Sequence, residues 1–245
     1  MEFSRLLEKL EDAHRDLVME IGMGGLLELR IKTPRNFLAY KLLRRYEIEN
    51  NSLKVHRHNI PKNEGHVSWI LGLPAGGIDL STLKYNKKEL CNKYGIKGSK
   101  LKRKDLVEEL LHTDVGDRWL ALFVLFATDC VLRPSYTYFV SHEVLRVMGQ
   151  RHNLKAVNWS KFVLDGLVKG AKTIEKTTFD LSAGHKAYVR IHGCTVFLEV
   201  RVIFFFCTRL IMGTWHFKNS WSIFLFVYGD KLTFCVHCCL LCNWM

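Results

Sequence analysis

The sequence predicts a mainly α fold: an irregular multi-helix domain with one small β-hairpin, followed by a C-terminal tail that is not natively folded. Three observations carry this expectation. Apolar residues recur at helical spacing through most of the first 200 positions. Strict alternation appears in one short stretch only. The composition then changes abruptly near Val200. A chain of 245 residues, 48% of them apolar, has ample length for a core and suits one large domain or two small ones.

The elements follow in order. Residues 4–21 place Leu6, Leu7, Leu10, Leu17, Val18 and Ile21 on one face, with Ser4 positioned to cap the helix and Gly22 to stop it. A turn at residues 23–25 leads into the apolar stretch 26–31. Pro34 can open a second helix over residues 35–46, with Phe37, Leu38, Leu42 and Leu43 as its stripe. Over residues 47–60 the period shifts to alternation around Asn50-Asn51, the signal of a small hairpin. A short helix over 66–71 is stopped by Gly72 and Pro74. Two more, near 87–94 and 104–112, are separated by a basic linker. Residues 119–132 are apolar on almost every side, which describes a central buried helix too short to span a bilayer. Helices starting at Ser141 and spanning 159–172 complete the set.

The tail, residues 201–245, holds seven of the 15 Phe, three of the six Trp and five of the eight Cys, with no Ala, Pro or Glu and a single acid, Asp230. Arg201, Arg209, Lys218, Asp230 and Lys231 interrupt every stretch approaching membrane-spanning length. A β-rich extension would need turn signals that are poor here. The composition instead matches translation of T-rich non-coding text, and Glu199-Val200-Arg201 is encodable with a splice-donor-like junction. The expectation is therefore intron read-through and a truncated gene product, with functional meaning confined to residues 1–200.

Several motifs invite chemistry that their spacing does not support. The glycines at 22–25 and 72–77 lack the Lys-Ser/Thr of a phosphate loop and read as turns. His142-Glu143 is followed by Arg146 where a zinc protease needs its second His. His56 and His58 could share a strand face, without a third ligand. The cluster C-V-H-C-C-L-L-C at 235–242 lacks the second knuckle of a structural zinc site. No G-x-S-x-G elbow is present. No catalytic residue, cofactor, metal or small-molecule substrate is expected. The first 20 residues alternate charges with apolar groups and form no signal peptide, so secretion is not expected, and Cys91, Cys130 and Cys194 read as reduced, buried thiols.

Five blocks carry a family resemblance. They are G-M-G-G-L-L at 22–27, H-V-S-W-I-L-G-L-P-A-G-G at 66–77, F-V-L-F-A at 123–127 with V-L-R-P at 131–134, N-W-S-K-F-V-L-D-G-L at 158–167, and G-C at 193–194 running to Leu198. In this order they resemble the N-terminal helical domain of plant transposon-derived proteins. That domain occurs in aminotransferase-like plant mobile-domain proteins and upstream of SUMO-protease-like cysteine peptidase domains. The resemblance covers residues 3–200. It implies a plant, nuclear, transposon-derived, non-enzymatic module; the peptidase residues would belong to a separate domain not found in this chain.

Charge supplies the sharpest local signal. Residues 84–104 hold nine basic groups and one acid, Glu89, while the rest of residues 1–200 is nearly neutral. Residues 83–111 resemble a basic SAP-type helix pair that contacts DNA, with Lys97, Lys100, Lys102, Arg103 and Lys104 as the nucleic-acid-binding candidates. Lysine and arginine would neutralise phosphates, with affinity falling steeply as salt rises. The competing reading is a solvated basic linker. Lys100–Lys104 also fit a nuclear import patch. DNA or another nuclear protein is thus the partner expected, in the nucleus or otherwise the cytoplasm, with no membrane association. The third reading is a regulatory N-terminal part of a SUMO-type peptidase.

Overall fold

The computed structural model describes residues 2–29, 36–84, 86–96, 101–134, 139–182, 191–211, 227–228 and 231–232. The chain divides into two compact units, residues 1–205 and 206–245. The first is mainly α with one small sheet, as the periodicity predicts.

The core forms around α7 (Asp117–Ala127), whose residues from Trp119 to Ala127 are all fully buried. A helix apolar on every face has to be surrounded. α6 (Arg103–His112) packs along it, and the 3-10 segment Glu143–Ala156 covers another side. Phe3 of α1 (Glu2–Leu7) stacks on Phe126 with ring centroids 5.7 Å apart, and Trp119 stacks on Phe123 at 5.2 Å. A single π-turn, Thr128–Leu132, ends α7.

A second layer is built on α8 (Trp159–Ser182), against which α3 (Asn36–Arg44) and α4 (Glu64–Leu71) pack. α5 (Lys87–Lys93) rests on the 3-10 segment. α9 (Thr195–Ile211) crosses the composition change at Val200. Residues 227–228 and 231–232, β4 and β5, form a minimal antiparallel pair in the second unit.

The structure corrects several expectations. Residues 4–21 are two helices, α1 and α2 (Asp12–Glu20), not one. The Arg15 guanidinium donates to the Leu7 and Leu10 carbonyls at 2.7 and 3.2 Å, replacing amides a continuous helix would have used. The hairpin is a three-stranded antiparallel sheet of β1 (Tyr46–Glu47), β2 (Ser52–Val55) and β3 (His58–Pro61). Its second turn is at His56-Arg57, where His56 has φ 53°, so His56 and His58 are not strand-face neighbours. Phe37 is 69% exposed, although it falls on the predicted stripe of α3. The segment from Ser141 is 3-10, not α, and α8 runs ten residues beyond its predicted end. Pro34, residues 30–31, Lys97, Lys100 and the cysteine cluster at 235–242 lie outside the described residues.

Candidate nucleic-acid interface

The glycine-rich blocks form architecture. Gly72 ends α4 with φ 61°, and its backbone meets that of Gly25; a Cβ added at Gly25 would lie 2.2 Å from the Leu71 carbonyl oxygen. Only two glycine turns can approach so closely. The 158–167 block docks on the same junction. Asn158 caps α8 by accepting from Lys161 N–H at 2.9 Å, and its Nδ2 donates to Glu64 Oε2 at 2.7 Å. Ser160 N–H donates to the Pro74 carbonyl at 3.0 Å. Cys194, in the last block, is fully buried, and burial pushes its thiol up to about 12, which keeps it protonated and unreactive. Asn158, Ser160 and Cys194 of these blocks are thus engaged in holding the fold.

The basic segment is built differently. Asn86 caps α5 by accepting from Glu89 N–H at 3.4 Å, and only Leu90 and Cys91 of this helix are buried. Past α5, Gly95 takes φ 61° and Ile96 N–H donates back to the Cys91 carbonyl at 2.8 Å, the bond of a Schellman stop. Tyr94 is buried and its hydroxyl donates to the Met148 carbonyl at 3.3 Å. These anchors fix α5 while Lys87, Lys88 and Lys93 stay exposed, with Lys84 exposed just before it.

α6 is anchored at both ends. Leu101 is buried and its carbonyl accepts from Val140 N–H at 3.0 Å, while Trp119 Nε1 donates to the Leu110 carbonyl at 3.2 Å. Arg103 Nε lies 2.6 Å from Asp129 Oδ2, a carboxylate only 4% exposed. The sequence gives Arg103 as a phosphate contact; the structure uses it to neutralise a buried acid. Lys102 and Lys104 are exposed, and the half-exposed ring of Phe139 sits on the strand position opposite Lys102. Spacing alone gives no reason to single out Lys84, Lys87, Lys88 and Lys93 as contacts. The signal that finds them is the burial of Leu90 and Cys91, which turns the remaining face of α5 outward.

Among the described residues, no group of three or more His, Cys, Asp or Glu is arranged to hold a metal ion, and no helix is long and apolar enough to cross a membrane. No curated protein and no solved structure matches the chain. A family model described as a domain of unknown function, DUF8566, matches residues 1–199, and the chain belongs to that family.

Proposed function

We propose that this chain is a non-enzymatic module that binds nucleic acid through the lysines of α5 and the start of α6. The observation that carries the reading is the concentration of exposed lysines, Lys84, Lys87, Lys88, Lys93, Lys102 and Lys104, on a segment whose apolar residues are firmly anchored. Rigid presentation lowers the cost of ordering these side chains on a phosphate backbone. The likeness to plant transposon-derived helical domains favours a nuclear setting, and the SAP-like helix pair favours duplex DNA. Lys97 and Lys100 belong to the same basic segment.

The test is fluorescence anisotropy with a labelled duplex at low salt, comparing the wild-type chain with a variant carrying glutamine at the six exposed lysines. Binding that weakens at least about 100-fold in the variant supports the reading, because each phosphate contact adds to a common counterion-release effect. Absence of binding by the wild type, or equal binding by the variant, removes it.

A further inference from the structure

A second concentration of positive charge is buried. Lys62, directly after β3, is 3% exposed, and Arg201 on α9 is 7% exposed. Arg201 Nη2 donates to the Pro61 carbonyl at 3.4 Å and lies 3.2 Å from Nε2 of His66 on α4. A guanidinium only donates, so His66 Nε2 is the acceptor and the ring proton sits on Nδ1. This leaves Lys62 Nζ, Arg201 Nε and His66 Nδ1 as buried donors with no acceptor among the described residues.

The neighbours do not neutralise these groups. Lys62 Nζ lies 4.0 Å from the centroid of the Tyr46 ring. A desolvated cation–π contact recovers less than it costs to bury an ion. The carboxylate that acts on Lys62 is Glu47, which already accepts from Asn50 and Ser52 and pairs with Lys54 at 3.7 Å. From α9 Lys62 meets the like charge of Arg201, and the same charge, after burial, holds His66 below its ordinary range. A lysine can respond by losing its proton, whereas an arginine stays charged. A buried guanidinium whose Nε has no acceptor among the described residues would be stabilised by an anion.

We infer that Lys62 and Arg201 form a binding site for a phosphate group, with His66 positioning the guanidinium through its Nε2. Two cations match the charge of a phosphate dianion, and a tetrahedral anion offers separate oxygens to an ammonium and to a guanidinium fork. Tyr46, the ring on which Lys62 rests, lines a cleft of about 790 Å³ with Arg44, Glu47 and Glu175; Lys62, Arg201 and His66 are not in its lining, so an anion reaching them has to displace side chains. The site shares no residue with the basic segment, and its existence does not depend on the nucleic-acid reading.

The experiment is isothermal titration of the full chain at constant ionic strength and pH 7. Inorganic phosphate, adenosine monophosphate and acetate are the titrants, with Tm measured alongside. Phosphate is expected to bind and to raise Tm saturably, and acetate to do neither. K62M and R201M should weaken phosphate binding by about 10-fold or more, the loss of one hydrogen bond to a charged group. A nucleotide that binds more tightly than free phosphate assigns the site to phosphomonoesters; one that binds more weakly assigns it to the free anion. A wild-type chain showing neither heat nor a Tm shift overturns the proposal, and that result does not depend on the variants folding. Equal effects of acetate, or unchanged binding in folded K62M or R201M, overturn it as well.

Discussion

Along α5 and the start of α6 positive charge is met by water; around Lys62 and Arg201 the same charge is enclosed by protein. The exposed lysines cost the fold little, and a polyanion binding there would change affinity with small effect on stability. The buried pair bears a desolvation penalty that an anion would relieve, so occupancy there is felt as stability. Arg103 stands between the two cases. Its guanidinium is 37% exposed, and Asp129 beneath it supplies the counter-charge that Lys62 and Arg201 lack. Like residues in one small domain thus have three different fates, decided by burial and by whether a carboxylate shares the site.

The largest effect is expected where Arg103 is turned into a second Arg201. Asp129→Asn removes the counter-charge and is expected to lower stability by about 2–3 kcal/mol, less than for a fully enclosed pair because Arg103 is partly solvated. Chemical denaturation measures the loss, and Arg103→Gln in the same background should restore part of it. A destabilisation under about 0.5 kcal/mol would show that the pair is no more than a surface contact.

Next in size is the removal of the buried ammonium. Burial and the nearby Arg201 hold Lys62 at about 7, far below its ordinary value of 10.5. Between those two values the unfolded chain binds the proton and the folded chain does not, so stability contributed by this site rises as pH increases from 7 to 10. Lys62→Met should therefore stabilise the anion-free protein by on the order of 1–3 kcal/mol at pH 6–7, with the difference shrinking toward pH 10. Saturating phosphate should flatten the wild-type slope. A Lys62→Met chain that is less stable at every pH would mean that the ammonium is already neutralised.

The smallest expected effect on stability comes from the exposed face. Lys87→Gln, Lys88→Gln and Lys93→Gln should each leave stability within about 0.5 kcal/mol of wild type, as substitutions away from packed or paired positions do. Thermal unfolding checks this. A larger loss at any of the three would place that lysine among the groups that hold the fold.

Much of the architecture was legible locally. The apolar run that becomes α7, the Gly72 stop and the helices of the basic segment are written in short-range periodicity and turn chemistry. The break between α1 and α2 was not, because it depends on Arg15 reaching the carbonyls of Leu7 and Leu10. The third strand escaped because a His-Arg turn with a left-handed His56 carries no glycine or asparagine signal. The exposed lysines were visible as charge, yet the role of Arg103 was hidden by the 26 residues separating it from Asp129. The buried cluster was invisible for the same reason on a larger scale. Lys62 sits in a polar loop sequence, and its neighbour Arg201 arrives on a helix at the far end of the first unit.

The salt dependence of duplex binding reads the number of phosphates the exposed lysines meet. The wild-type chain is expected to give a linear fall of log K with log salt concentration. Neutralising Lys87, Lys88 and Lys93 together should reduce that slope by up to about 2.7, since each phosphate contact contributes about 0.9. Lys62→Met should leave the slope unchanged. A slope near zero, or one that the three substitutions do not alter, would mean that the lysines of α5 do not contact phosphates.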